Sequence, residues 1–555
     1  MSLFELLILL IAVAAALRIL SQHIGVPHPA LLVLGGVVVA LVPGLPRPNP
    51  DPDLLFTIFV PPLLYWAALT ISLRELRTFL WPIVRLATGL VIVTVCAVAA
   101  VVHLLVPAFG WPAAFVLGAI VSPPDPVAAT AVLRPLGAPR DVTTMLEGEG
   151  LINDATALVI YRISVTAVVA GSFSLWSATW RLAFTGVGGA LIGLAAGMLV
   201  VFLRTRITHI VVVENALSLL SPFLAFLPAQ AVDASGVLAV VTMGLYLGTR
   251  APRAVSPATR LQAGAMWAMV TFLLESLIFM LVGLELPRVI VALRSHPLHQ
   301  LLALVVAATL ACIVVRFIWV SISIQLPGVR RRLRRTRESG RWKKPFFIAW
   351  AGLRGADSLV IALALPHTIR GGAPFPSRDL IIFVTFGVIF MTLVVQGFSL
   401  RPLVKRLGLR GDGAEAREER VARIAMAEAA LGRLREIASR DELPRRIVEH
   451  LRAEYQQLTQ MAKRTHVPNG PGSAEAAQYR DARRQLQAAE RAELIALAER
   501  GEIGGDVMRH LQRQQDLRDM LLSYDEEAGA GSHELLSSGD DFSPERQEER
   551  GEEPG

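Results

Sequence analysis

Long apolar stretches alternate with short polar connections over roughly the first three quarters of the chain. Each stretch has about 20 residues, the length that an α-helix needs to cross the hydrocarbon core of a bilayer. The pattern therefore predicts an all-α polytopic membrane protein with about 13 transmembrane helices. We place them near residues 3–20, 28–45, 54–73, 80–107, 112–134, 141–171, 178–203, 209–227, 230–249, 263–286, 298–325, 345–366 and 377–402. No basic region precedes the first stretch, so we interpret it as a retained span.

The pattern changes near residue 410, where apolar residues begin to recur every three to four positions between charged ones. Such narrow apolar stripes are typical of small helical bundles or coiled coils. One stripe runs through Ile424, Ala427, Leu431, Leu434 and Ala438, and a second through Ile447, Leu451, Tyr455 and Leu458. The organisation that we predict is a transmembrane domain over 1–410, a helical cytoplasmic regulatory tail over 411–525 with further helices near 476–500 and 505–522, and a disordered C-terminus over 526–555.

Charge and composition narrow the class of protein. The chain has 555 residues, is 53% hydrophobic and carries a formal net charge of +8. Much of the positive excess lies in loops beside the spans, notably the segment 330–344, which indicates a cytoplasmic face against anionic lipid rather than nucleic-acid binding. The alternation of basic loops predicts an odd number of spans in the cell membrane, with the N-terminus outside and the C-terminal tail in the cytoplasm. Two cysteines in apolar runs predict neither a disulfide nor a cofactor site.

Acidic residues interrupt two of the apolar stretches. Asp125 lies among three prolines in the segment Ser122–Pro126, and Asn153 and Asp154 lie in the next span. Prolines break a helix and free backbone carbonyls at membrane depth, while a carboxylate there is costly and is usually kept for ions or protons. The pattern favours a cation site made by Asp154, Asp125, Asn153 and the backbone carbonyl of Pro124.

The same carboxylate can bind a proton or a cation, but not both at full strength. Burial favours the protonated form, and a bound cation favours the ionised form. The two ions therefore compete for Asp154 and Asp125, and this competition is the requirement for exchanging one ion for the other.

A second charged pair is predicted between Glu149 and Arg354. Arg354 lies between glycines in the twelfth span and needs a partner in the membrane. Glu149 is five residues before Asp154, which turns it about 140° away on a helix, so it faces a different neighbour. We predict a structural ion pair between the two, and interrupted, closely crossing helices in the fifth and twelfth spans. No role is assigned to four other intramembrane charges, which are Glu275, Arg316, Glu214 and Asp233.

Four segments together resemble one family of transporters. They are Ser-Pro-Pro-Asp-Pro at 122–126, the segment from Glu149 to Asp154, Gly-Leu-Arg-Gly-Ala at 352–356, and Val-Pro-Pro-Leu-Leu-Tyr at 60–65. In this order they are similar to the monovalent cation:proton antiporter-1 family, which comprises bacterial sodium/proton exchangers related to animal sodium/hydrogen exchangers. The resemblance covers about residues 1–410.

The resemblance implies 13 spans with inverted repeats, a homodimer, and electroneutral exchange of sodium for protons by alternating access, without a cofactor. It implies that Asp154 binds the cation and the proton, supported by Asn153 and Asp125. The chain departs from the family pattern at three positions: Gly150 replaces a frequent Ser, Pro124 a frequent Thr, and Trp66 an acid of some members. These departures leave sodium, potassium and lithium open as the transported cation.

Two other classes of protein fit parts of the pattern. Paired intramembrane aspartates also describe aspartyl proteases, but the Gly-x-Gly-Asp segment that those enzymes carry in a span is missing here, and Gly504-Gly505-Asp506 lies in the tail. We therefore do not expect an enzyme. A cation channel or a sensor that signals through the tail would show cation flux without proton countermovement.

Overall fold

The computed structural model is helical throughout the part of the chain that it describes, apart from one isolated β-bridge between Thr368 and Pro374. The described residues form two compact units, Met1–Leu409 and Arg410–Gly555. The structure describes residues 3–24, 26, 28–43, 45, 51–125, 129–130, 133, 138–170, 175–206, 210–254, 257–294, 296–325, 342–369, 372–409, 414–440, 444–464, 486, 489–497, 500, 502, 507–508, 511–512 and 515.

The first unit is a bundle of apolar helices. Its elements are α1 (Leu3–Ile24), α2 (His28–Ala40), α3 (Pro52–Thr70), α4 (Leu73–Thr78), α5 (Leu80–Val84), a π-helical turn (Arg85–Leu90), α6 (Val91–Leu105), a 3-10 turn (Pro107–Phe109), α7 (Trp111–Val121), α8 (Arg140–Ala170), α9 (Leu175–Arg206), α10 (Val211–Ala231), α11 (Gly236–Ala254), α12 (Pro257–Ala292), α13 (Leu298–Gln325), α14 (Lys343–Trp350), α15 (Ala356–Leu363), α16 (Arg378–Met391), a second π-helical turn (Thr392–Gly397) and α17 (Phe398–Leu407).

Among the described residues of this unit, eight helical stretches are long and apolar enough to cross a membrane, and four shorter apolar helices accompany them. The shorter ones are His28–Ala40, Leu54–Thr70, Trp111–Val121 and Gly236–Arg250. The all-α polytopic class that the apolar pattern predicted is therefore confirmed. The exact number of 13 spans and the inverted repeats stay predictions.

Helix α9 illustrates how the bundle divides between lipid and protein. One face presents Val187, Leu191, Leu194 and Met198 to the outside at helical spacing, as expected of a surface in contact with lipid tails. The opposite face packs on α11, where a Cβ atom on Gly193 would lie 2.1 Å from the backbone oxygen of Ala239. Only glycine allows two helix backbones to approach this closely, which is a common way to pack helices in lipid.

The second unit contains α18 (Ala414–Ser439) and α19 (Arg445–Arg464), which pack against each other. Ala427 and Leu434 of the first predicted stripe are buried, whereas Ile447 of the second is exposed and its neighbour Val448 is buried in its place. Val448 precedes Leu451 by three positions and so shares its face of the helix. Most of the predicted helices at 476–500 and 505–522, and the predicted disordered segment 526–555, lie outside the described residues.

Candidate cation-binding site

Two interrupted helices meet at the centre of the candidate site. Helix α7 ends at Val121, and Ser122–Asp125 continue as non-helical backbone, at the prolines that predicted a break. The segment 351–355 between α14 and α15 is also non-helical. The two breaks are joined directly, because the backbone N–H of Asp125 donates to the carbonyl of Leu353 at 2.7 Å.

The Asp125 side chain lies against the backbone of the second break. A Cβ atom added to Gly355 would lie 1.9 Å from Asp125 Oδ2, well inside any permitted contact. A glycine is therefore required at this crossing for steric reasons, since its φ of −126° is open to other residues.

Asn153 ties helix α8 to the first break. Its side-chain Nδ2 donates to the carbonyl of Pro124 at 2.9 Å, and the residue is fully buried. The remaining amide oxygen, Oδ1, is buried without a hydrogen-bond partner in the described part of the structure. A buried acceptor without a donor is unfavourable unless a cation or a water supplies the missing contact.

Asp154 follows Asn153 and lies among other acids. The charges of Asp357 and Asp125 act on its carboxylate, and the charges of Asp125 and Asp357 also act on Glu275. Four carboxylates from α8, α12, α15 and the break after α7 therefore share one electrostatic neighbourhood. The structure brings together all four residues that we predicted as the cation site, namely Asp154, Asp125, Asn153 and Pro124.

The predicted ion pair between Glu149 and Arg354 is not formed in the described structure. Glu149 instead binds Arg316 of α13 through both carboxylate oxygens, with Arg316 Nη2 donating to Oε2 at 2.8 Å and Nη1 donating to Oε1. Arg316 Nε donates to the carbonyl of Ile348 at 3.1 Å, and both charged side chains are at most 2% exposed. As predicted, Glu149 points to a neighbour other than that of Asp154, but the partner helix is α13.

Arg354 is held by backbone carbonyls instead of an acid. Its Nε donates to Val121 O at 2.6 Å, and its Nη1 donates to Gly352 O at 2.8 Å. Both carbonyls lie at the interruptions, where helical partners are missing, so the guanidinium satisfies acceptors that the breaks release. Its own backbone N–H donates to Thr392 Oγ1 at 3.3 Å. Arg354 thus joins the two interrupted helices, which explains why Arg316 rather than Arg354 is available to Glu149.

A family model described as the transmembrane sodium/hydrogen exchanger matches residues 7–406 of this chain. The chain belongs to the sodium/hydrogen exchanger family. It is 36% identical over 530 residues to an uncharacterized Na+/H+ exchanger of Mycobacterium tuberculosis, a match that covers 93% of this chain and 96% of the relative. It is 31% identical over 430 residues to the Na+/H+ antiporter ApNhaP of Aphanothece halophytica, covering 76% and 78%.

A third relative, of Bacillus pumilus, is named a sodium, potassium, lithium and rubidium/H+ antiporter, with 31% identity over 410 residues, 72% of this chain and 61% of the relative. Among solved structures, the sodium proton antiporter MjNhaP1 from Methanocaldococcus jannaschii is similar in fold, with a TM-score of 0.58 at 19% identity. That match covers 73% of this chain and 98% of the other.

Two of the three sequence departures lie in packed parts of the membrane unit. Trp66 of α3 stacks on Trp267 of α12, with ring centroids 5.7 Å apart and planes 10° from parallel. Trp66 therefore takes part in apolar packing between α3 and α12. Gly150 is buried in α8 directly after Glu149.

Sequence reasoning recognised Asp357 and Glu275 as intramembrane charges but assigned neither of them to the acidic neighbourhood of the site. Asp357 was visible as the third residue after Arg354, in the first turn of the helix that follows the break, and that position was the available signal. Glu275 lies in the middle of α12, and only the packing of that helix brings it near the site.

The donor atoms available at the candidate site are oxygens. Within the described ranges, no group of three or more His, Cys, Asp or Glu side chains could hold a metal ion together. The available ligands are carboxylates, one amide oxygen and carbonyls at helix breaks, a set of hard oxygen donors that suits a small cation passing through. The cation is cargo in this family, so a site that binds it weakly enough to release it is expected.

Proposed function

We propose that this protein is a secondary active antiporter that exchanges sodium, or another monovalent cation, for protons across the cell membrane, and that it serves pH and sodium homeostasis. The observation that carries the proposal is the contact between Asn153 and the Pro124 carbonyl at the crossing of two broken helices. It leaves a buried amide oxygen without a partner beside Asp154 and Asp125. Membership of the sodium/hydrogen exchanger family supports the same function.

The chemistry follows from competition at Asp154. An ionised Asp154 in the membrane interior is unfavourable unless it is neutralised by a proton or a cation. When a cation enters, its charge stabilises the ionised carboxylate and the proton leaves; when a proton enters, the carboxylate loses its attraction for the cation. Asn153 Oδ1 and Asp125 would add oxygen contacts that replace part of the hydration shell.

Alternating access and electroneutrality extend this reasoning. A site that moves only when Asp154 carries a proton or a cation does not move an uncompensated charge through a low-dielectric barrier. The mobile part would contain α7, α8 and the broken helix formed by α14 and α15. Arg354 links the second break to α7, and Asn153 links α8 to the first break. A homodimer of the remaining helices would serve as the scaffold, as the family resemblance implies.

The choice of cation is proposed as sodium first, with potassium and lithium as alternatives. The relatives include one named for Na+ and one named for sodium, potassium, lithium and rubidium. The basic loops support an orientation with the N-terminus outside and a cytoplasmic tail after residue 410. The family resemblance implies 13 spans with inverted repeats, and the proposed role of the tail is to regulate the exchanger or to stabilise the dimer.

The test is proton movement in proteoliposomes that contain the purified full-length protein. Sodium, lithium and potassium are added in turn at several pH values, with the voltage collapsed by a permeant anion, and Asp154→Asn serves as the inactive reference. We expect cation-dependent collapse of the pH gradient that the voltage does not affect and that the variant lacks. Cation flux without proton movement would instead indicate a channel, and an unchanged rate in Asp154→Asn would refute the assignment of the site.

A further inference from the structure

Asp357 is an acid at the crossing that neither the ion pair nor the predicted site uses. It lies in the first turn of α15, two residues after Gly355, whose backbone is in contact with the Asp125 side chain. Its Oδ1 atom is buried and has no hydrogen-bond partner among the described residues. Its charge acts on Asp154, which places it in the same neighbourhood as the proposed cation and proton acceptor.

If Asp357 had a purely structural role, its carboxylate would cap the helix or bind an arginine. An acid in the first turn of a helix commonly caps free backbone N–H groups through its side chain. The N-cap of α15 is Gly355, which has no side chain to cap the helix, and Asp357 Oδ1 accepts no hydrogen bond from the described residues. The salt bridges of Arg316 and the hydrogen bonds of Arg354 go to other partners, so neither arginine explains Asp357.

The charge that acts on Asp357 is that of another acid, Asp125. Helix α15 packs on α3, α7, α12 and α16. Asp125 follows α7, and Glu275 projects from α12; the charge of Asp125 acts on Asp357, and that of Asp357 acts on Glu275.

The basic residue of α16 is remote from Asp357. Arg378 begins α16 and donates to the carbonyls of Leu363 and Leu365, at the opposite end of α15. In α3 the one charged residue is Asp53, in its first turn.

We propose that Asp357 is a further acidic residue of the cation site, supplied by the second broken helix, and that its charge sets how the site divides between cation and proton. This inference rests on the antiport function proposed above and deepens it. Asp125 lies in the first break and Asp154 in α8, whereas Asp357 lies in the helix that follows the second break. The Oδ1 atoms of Asn153 and Asp357 are both buried without a hydrogen-bond partner among the described residues, and a buried acceptor of this kind requires a water or a cation.

The effect of removing Asp357 is expected mainly on cation affinity and on its pH dependence. At an effective dielectric constant of about 20, removing one charge on the order of 10 Å from a cation weakens its binding by about tenfold. Asp357→Asn should therefore raise the KM for sodium about tenfold. It should also move the pH at which protons inhibit sodium entry to a lower value, since fewer negative charges stabilise the bound proton.

The experiment measures exchange in proteoliposomes across a series of sodium concentrations and pH values. Asp357→Asn and Asp357→Glu are compared with Asp233→Asn, which makes the same chemical change at an exposed residue. Asp233 has a φ of 55°, a conformation that asparagine tolerates, so this control should behave as the wild type does.

The outcomes separate this inference from the proposed function. A raised KM with a shifted pH profile in Asp357→Asn, with values near those of the wild type in Asp357→Glu, supports the inference. Wild-type exchange that is lost in Asp154→Asn but unchanged in Asp357→Asn refutes it and leaves the antiport function standing. If Asp357→Asn is inactive, sodium binding to the purified, folded variant is measured. Weakened binding that Asp357→Glu restores supports the inference. Unchanged binding, or a lowered unfolding temperature in both variants, overturns it.

Discussion

Removing one partner of the buried ion pair between Glu149 and Arg316 should strongly destabilise the membrane unit. Glu149→Gln removes the negative charge from a site where both partners are at most 2% exposed. Hydrogen bonds between charged groups contribute about 1.5–3 kcal/mol each, and two join these side chains. Breaking a buried pair from one side typically costs about 3–5 kcal/mol, because the other charge stays buried. We therefore expect Glu149→Gln to lower the free energy of unfolding by about 3 kcal/mol or more.

A double-mutant cycle identifies the partner. Arg316→Met removes the orphaned charge and keeps an apolar side chain, so Glu149→Gln with Arg316→Met should be less destabilised than the sum of the two single variants by about 1–3 kcal/mol. The same cycle with Arg354 should give a smaller coupling energy, because Arg354 is bound to the carbonyls of Val121 and Gly352.

The assay is equilibrium unfolding of the purified protein in mixed micelles with increasing SDS. Arg288→Gln is the control, since it breaks the pair with Glu285 at 3.7 Å in which Arg288 is 58% exposed, and it should cost under about 1 kcal/mol. A loss in Glu149→Gln no larger than in this control, or a stronger coupling of Glu149 to Arg354 than to Arg316, would refute the reasoning.

Two further variants test the crossing itself. Gly355→Ala would place a Cβ atom 1.9 Å from Asp125 Oδ2 and should abolish exchange in the proteoliposome assay. The control Gly264→Ala, whose Cβ atom would meet nothing within 4 Å, should leave exchange unchanged. Equal activity of the two variants would contradict the close approach of Asp125 to the Gly355 backbone. Asn153→Ala removes the donor to the Pro124 carbonyl and should lower the free energy of unfolding by about 1–3 kcal/mol together with sodium affinity, and unaltered sodium binding would contradict a role for Asn153 at the site.

The helix breaks near Asp125 and Arg354 and the acidic residues of the site could be predicted from the sequence, because each is a local feature that is unfavourable in an apolar membrane helix. Prolines beside Asp125 favour a break in the helix, glycines beside Arg354 permit one, and a carboxylate at membrane depth is costly unless it binds an ion, a proton or a partner charge. These features belong to short stretches of chain, so they are visible without knowledge of how helices pack.

The partner of Glu149 could not be predicted in this way. Arg316 lies 167 positions further along the chain, and which of two buried arginines faces Glu149 depends on how α13 packs. The alternative, Arg354, is satisfied by carbonyls that exist only because both helices break. Contacts between distant helices are set by packing in three dimensions, where a small rotation of one helix exchanges one neighbour for another.

The most direct test of competition at Asp154 is proton release from purified protein on addition of sodium. The protein is held in a weakly buffered detergent solution without a membrane gradient, and the pH is followed as sodium is added. We expect release of about one proton for each sodium bound, as exchange at a shared carboxylate requires, and no release from Asp154→Asn. Sodium binding without proton release, or the same release from Asp154→Asn, would contradict a common site for the two ions.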